Sequence, residues 1–180
     1  MKTKLLLIFV FFSVYSFAQD KYYTKSGTIS FEASVPAFEE VKATNNKVTA
    51  IFKPKTGDIA VLALVKGFRF KVALMEEHFN ENYAESDKFP KTTFSGKIQN
   101  YNSNILEGNN KVTIKGKLTF HGITNEVEVP GAILKNGKTI KLNVSFSLKP
   151  EDYHINIPKL IRKKVAETID IKIDFDLLKK

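Results

Sequence analysis

The chain carries three histidines, His78, His121 and His154. Imidazole is the side chain best suited to move protons near neutral pH or to hold a metal. No two of the three have a metal-ligand spacing such as H-x3-H. Cysteine is absent, which removes thiolate ligands, disulfides and thiol nucleophiles together. The G-x-S-x-G elbow of one hydrolase class is missing, and so are the two common Gly-rich phosphate loops. Carboxylates are plentiful. Asp170, Asp174 and Asp176 alternate with apolar residues, the pattern of a solvated strand face. Glu76, Glu77, Glu81, Glu85 and Asp87 cluster around one helical segment and read as its solvated side. Paired catalytic carboxylates inside a β-fold need an acid in the apolar phase, and none is there. No catalytic residue, metal site or cofactor is assigned. The enzymatic alternative is a reaction using His78 or His121 with a nearby carboxylate.

The elements that would position these residues are mostly strands. Period-two alternation describes a strand with one buried face. Ile169, Ile171, Ile173, Phe175 and Leu177 share one face of the last strand, against Asp170, Lys172, Asp174 and Asp176. Ile140, Leu142, Val144, Phe146 and Leu148 repeat the pattern. Val112, Ile114, Leu118 and Phe120 do so with Gly116 as a gap. Ile29 to Val35 forms a first strand, Thr92 to Tyr101 another, and Val127 and Val129 a short one. Val48–Phe52 and Ile59–Val65 flank a Pro- and Gly-containing turn and read as a hairpin. Asn45-Asn46, Asn109-Asn110 and Asn136-Gly137 are further turn signals. Met75 to Tyr83 has helical spacing and must stop before Pro90. A second short helix is placed around Pro158 to Val165.

About eight antiparallel strands at this spacing predict an all-β barrel or sandwich of one domain. A barrel of about that size is either filled by side chains or left open for one small ligand. Alternation alone fits both outcomes.

Residues 1–18 are read as a signal peptide and residues 19–180 as the mature domain. Lys2 and Lys4 precede the apolar run Leu5–Phe12, and Ser16-Phe17-Ala18 supplies small residues at −3 and −1. The protein is therefore expected to be exported, periplasmic or secreted, and soluble after cleavage. The formal charge of +9 falls to +7 once Lys2 and Lys4 are removed. The excess is spread, with its densest run at Arg162-Lys163-Lys164. No clustered basic and aromatic stripe marks a nucleic-acid surface.

Two motifs make the sequence more specific. The first runs from Met75 through His78 and Tyr83 to Phe89-Pro90 and Thr92-Thr-Phe-Ser-Gly96. The second is Gly116-Lys-Leu-Thr-Phe-His121-Gly-Ile-Thr124, followed by Val127-Glu-Val129. Together with Asp152-Tyr153-His154-Ile155 they resemble, in order, the hallmarks of the YceI family. His154 departs from that pattern, which commonly has Gly there. The resemblance implies a single lipocalin-like antiparallel β-barrel with one or two short helices and a long apolar tunnel. It also implies a bound long-chain apolar lipid of polyisoprenoid, quinone or fatty-acyl type. Phase and resemblance together place Phe31, Leu62, Leu64, Phe94, Leu118, Phe120, Leu142, Val144, Phe146, Ile171, Ile173 and Phe175 along the tunnel. Met75 and Phe79 would cap one end. His78 and His121 match motif positions near the mouth, as hydrogen-bonding groups. Transient membrane-surface contact and a homodimer are compatible with this reading, as is a structural or partner-binding barrel with a filled core.

Overall fold

A computed structural model describes residues 20–180; the expected signal peptide lies outside them. The strands are β1 (Tyr22–Glu32), β2 (Lys42–Lys53), β3 (Asp58–Leu64), β4 (Arg69–Phe70), β5 (Lys91–Ile98), β6 (Asn109–Phe120), β7 (Ile123–Asn136), β8 (Thr139–Leu148) and β9 (Ile169–Lys179). One helix, α1 (Ala73–His78), interrupts them. The sheet order is β1-β9-β8-β7-β6-β5-β3-β2, and β1 pairs back onto β2. Every pairing is antiparallel. Eight strands thus close on themselves, which removes the unpaired edges of an open sheet. β4 is a two-residue appendage on β2.

Closure turns the alternating apolar faces inward, and their burial changes along each strand. On β8, Ile140, Leu142 and Val144 are buried, whereas Phe146 and Leu148 are less covered. On β9, Leu177 and Phe175 are buried and Ile173, Ile171 and Ile169 are partly open. Phe52, Ile59, Ile98, Ile114, Ile133 and Tyr22 join the buried ends in one cluster. Leu106, from the turn Ser103–Leu106, packs against them. Tyr101 adds its ring against Phe52 and donates its hydroxyl to the Pro54 carbonyl at 2.7 Å. The barrel is therefore filled at one end and hollow at the other.

The hollow end is also where the ladder is incomplete. β7 pairs with β8 only from Gly131 onward, although it pairs with β6 from Ile123 to Leu134. Pro130, which cannot donate a ladder bond, sits where that pairing stops. The chain after β8 folds across this gap, and Asn125 on β7 donates to the Asp152 carbonyl at 2.7 Å. On the opposite side β3 and β2 part, and Asn45 on β2 donates to the Leu64 carbonyl at 3.0 Å.

Several expectations are corrected. Asn45-Asn46 is no turn: it lies inside β2, with Asn45 buried and bonded across the gap. The short strand at Val127 and Val129 is part of the 14-residue β7. The helix is α1 followed by a wider turn over Phe79–Tyr83, closed by the Ala84 N–H on the Phe79 carbonyl at 2.8 Å. The second helix shrinks to a single 3₁₀ turn, Arg162–Lys164. The face assigned to β3 is inverted. Leu62 and Leu64 point outward, and Leu64 is 51 % exposed. Ile59, Val61 and Ala63 take the inner face, because their register partners are Phe52, Ala50, Phe94 and Thr92. The run Ile59–Val65 is apolar in both phases, so alternation could not choose between them.

Candidate functional site

The hollow end encloses a cavity of about 570 Å3. Its barrel wall comes from Phe31 on β1, Leu118 and Phe120 on β6, Phe146 on β8, and Ile171 and Ile173 on β9. α1 and the turn after it lie over the opening and contribute Met75, His78, Phe79 and Tyr83. The β1–β2 loop supplies Phe38 and Val41, and the segment before β9 supplies Ile155, Ile157, Ile161 and Val165. Phe31, Phe68, Phe70 and Phe79 pack into one aromatic wall, with ring centroids 5.3–6.1 Å apart in tilted or edge-on contacts. A smaller space of about 70 Å3 continues toward the filled end, past Phe94, Leu142, Val144 and Phe175.

Closure therefore brings together Phe31, Met75, Phe79, Leu118, Phe120, Phe146, Ile171 and Ile173. Phe94, Leu142, Val144 and Phe175 sit deeper, and Leu142 and Phe175 also belong to the filled core. Leu62 and Leu64 are excluded by the reversed face of β3. The sequence reading missed Phe38, Phe68, Phe70 and the run Ile155–Val165. These lie in loops or very short elements, where no period marks an inner face. The two- and four-residue spacing of Ile155, Ile157, Ile161 and Val165 was the available signal.

Polar groups in the lining are few: Glu39, His78, Tyr83, Thr92 and Lys164. The Thr92 hydroxyl is committed to the Thr119 carbonyl at 2.9 Å. Burial pushes the Tyr83 phenol above its ordinary range. Such a wall binds through apolar contact and offers little to stabilise a charged transition state.

His121 lies outside this lining and does something else. Residues 120–123 form the two-residue hairpin between β6 and β7, with φ of 48° at His121 and 74° at Gly122. Positive φ at both central positions is the mark of a type I′ turn. The His121 ring nitrogens meet the Tyr153 carbonyl at 2.9 Å and a Glu85 carboxylate oxygen at 2.7 Å. Phe89 packs edge-on against the ring at 4.7 Å. A Cβ on Gly122 would fall 2.5 Å from that Phe89 ring, so the site demands glycine twice over. One imidazole thus joins the β6–β7 hairpin, the loop after α1 and the chain that plugs the β7–β8 gap. The carboxylate neighbour that an enzymatic reading would need is present as Glu85, yet the pair is spent on tethering. His154 has φ of 56°, the left-handed region in which glycine is unpenalised. That accounts for the glycine usual there in the resembling family. Among the described residues no three His, Asp or Glu side chains gather to hold a metal.

The YceI-like domain model matches residues 21–177, from the first residues of β1 nearly to the end of β9. The chain belongs to the YceI-like family. The match spans both motifs and every strand of the barrel. Among solved structures, the YceI-like barrel is similar to a polyisoprenoid binding domain from Saccharophagus degradans implicated in plant cell wall breakdown. That pair has a TM-score of 0.75 at 9 % identity, covering 90 % of this chain and 99 % of the other. BcnA from Burkholderia cenocepacia superposes with a TM-score of 0.68 at 20 % identity, covering 83 % and 94 %. A YceI protein from Campylobacter jejuni gives 0.60 at 15 % identity, covering 77 % and 86 %. At these identities the likeness is one of fold. No curated protein matches the sequence.

Proposed function

We propose that this YceI-like protein is an exported, non-enzymatic binding protein that holds one long-chain apolar lipid, polyisoprenoid in class, as carrier or store. The observation that carries the reading is the 570 Å3 cavity with an almost wholly apolar wall. Its volume lies within the roughly 300–1,000 Å3 of single small-molecule sites. Each buried methylene contributes about 0.8 kcal/mol, so a chain burying about ten gains on the order of 8 kcal/mol before association costs. The cavity, bordered by α1 and the loops at the hollow end of the barrel, suits an elongated guest that enters end-on. The polyisoprenoid-binding description of the Saccharophagus degradans domain supports the lipid class. The leader-like residues 1–18 support export. A wall that reads apolarity and length discriminates weakly, so quinone and fatty-acyl chains fit the same chemistry.

The test is mass spectrometry of an organic extract from natively purified full-length gene product, with the N-terminus read from intact mass. A stoichiometric isoprenoid or other long-chain lipid, on a chain beginning at Gln19, is expected. An empty extract, with no thermal shift on adding polyprenols, quinones or fatty acids, overturns the binding reading. An intact Met1 overturns the cleaved-leader reading alone.

A further inference from the structure

The segment before β9 presents two chemistries at once. Ile161 and Val165 turn into the cavity wall. Between and beside them, Leu160 is 89 % exposed, the most exposed of the large apolar side chains among the described residues. Around it stand Lys159, Arg162, Lys163 and Lys164, all exposed. This is the densest basic run of the described residues, and among them no carboxylate neutralises it, as carboxylates do beside Lys42, Lys66 and Arg69 on other parts of the rim and barrel. The four around Leu160 form no ion pair among the described residues, and Arg162 makes only a long 3.5 Å contact to the Ile157 carbonyl. The segment is tied to the β1–β2 loop, the next part of the rim, by the Ala166 N–H on the Ala33 carbonyl at 2.9 Å. That loop carries exposed Phe38, and α1 carries exposed Leu74. Among the described residues, three of the five exposed large apolar side chains thus stand on segments that border one opening.

We infer that this rim, centred on Leu160 and its four cations, is a docking surface for an anionic lipid bilayer. An isolated leucine in water finds cover in any apolar medium, and unpaired cations around it select a medium with a negative surface. A protein partner would have to supply a matching pocket. A fluid interface needs only headgroup charge and an acyl layer to receive the leucine. Acids stand elsewhere on the rim, Glu39 and Glu40 on the β1–β2 loop, Glu77 and Glu81 on α1 and the turn after it, and Glu167 after the basic run, so contact is made on the 159–164 side. Docked there, the mouth opens toward the bilayer, and an apolar chain crosses between them without entering water. The inference rests on the lipid-binding reading for what docking accomplishes, while the contact itself stands on the rim residues.

The experiment is co-sedimentation of the full-length gene product with vesicles of 70 % phosphatidylcholine and 30 % phosphatidylglycerol, against pure phosphatidylcholine, at low and high salt. Tighter binding to the anionic vesicles, weakened by salt, is expected. K159Q/R162Q/K163Q lowers it about a hundredfold, at about fivefold per cation. Leu160→Ser lowers it about tenfold or more. None of these four residues lines the cavity, so melting temperature and extracted lipid stay as in the parent and separate lost docking from lost fold. Parent protein that carries lipid yet ignores both vesicles overturns the docking surface and leaves the cargo reading intact. Rim-dependent vesicle binding by a protein with an empty extract does the reverse. Equal binding by parent and variants, or rim-dependent binding to an acidic protein without vesicle binding, overturns the inference.

Discussion

His121 shows how one side chain can serve a mouth without entering it. Its two ring nitrogens and its face are all occupied, by Tyr153, Glu85 and Phe89. His121→Ala removes these contacts and leaves an alanine at φ 48°. We predict a loss of about 1–3 kcal/mol in urea unfolding with extracted lipid unchanged. A variant of unaltered stability would show that the tether is idle. Tyr153 makes a different case. Burial pushes its phenol up, and the Asp152 charge adds to it. The Asn125 N–H is committed to the Asp152 carbonyl, and the buried Tyr153 hydroxyl is left without a hydrogen-bond partner. Because the folded phenol holds its proton more tightly than the unfolded one, its contribution is fully present below pH 10 and lost as pH rises beyond it. Tyr153→Phe is predicted to flatten the fall in stability above pH 10, and to change stability at pH 7 by under about 1 kcal/mol. Alkaline melts that superimpose would refute this.

At the scale of elements, a face is decided by neighbours as much as by sequence. β8 and β9 alternate strictly, and their inner residues are those that alternation names. β3 is apolar on both sides, and only its register with β2 and β5 selects Val61 and Ala63 over Leu62 and Leu64. The apparent gap at Gly116 is likewise a pairing feature. Gly116 lies opposite Gly96, and the Phe94 ring covers both, 2.5–2.7 Å from where their Cβ atoms would be. Phenylalanine fills the space that two missing side chains leave. Gly116→Val presses its Cβ against the Gly96 Cα and the Ser95 carbonyl, both 2.5 Å away, as well as against that ring, with an expected cost of about 1–3 kcal/mol in denaturant unfolding. Full tolerance of valine would mean that the β5 and β6 backbones can part at this pair.

For the whole molecule, hollow against filled is the property that matters. Phe146 stands where the two spaces meet, on the lining of both. Phe146→Glu puts a carboxylate into an apolar cavity wall, and a charge there opposes an apolar guest. We predict a folded variant whose extract has lost most of its lipid. A folded variant that keeps its lipid would move the guest elsewhere. Much of this molecule was written locally. Alternation in β6, β8 and β9 and the Asn136-Gly137 turn were legible, because they depend on neighbours two to four residues away. The inner face of β3, the wall contributed by Phe38, Phe68, Phe70 and Ile155–Val165, and the tether from His121 to Glu85 were not. They depend on which strands meet and in what register. The same apolar face fills the barrel at Ile140 and lines a cavity at Phe146. Only closure, with the β7–β8 ladder stopping at Pro130 and α1 laid over the opening, decides how far apart opposite walls stand, and so whether side chains meet across the middle or leave room for a ligand.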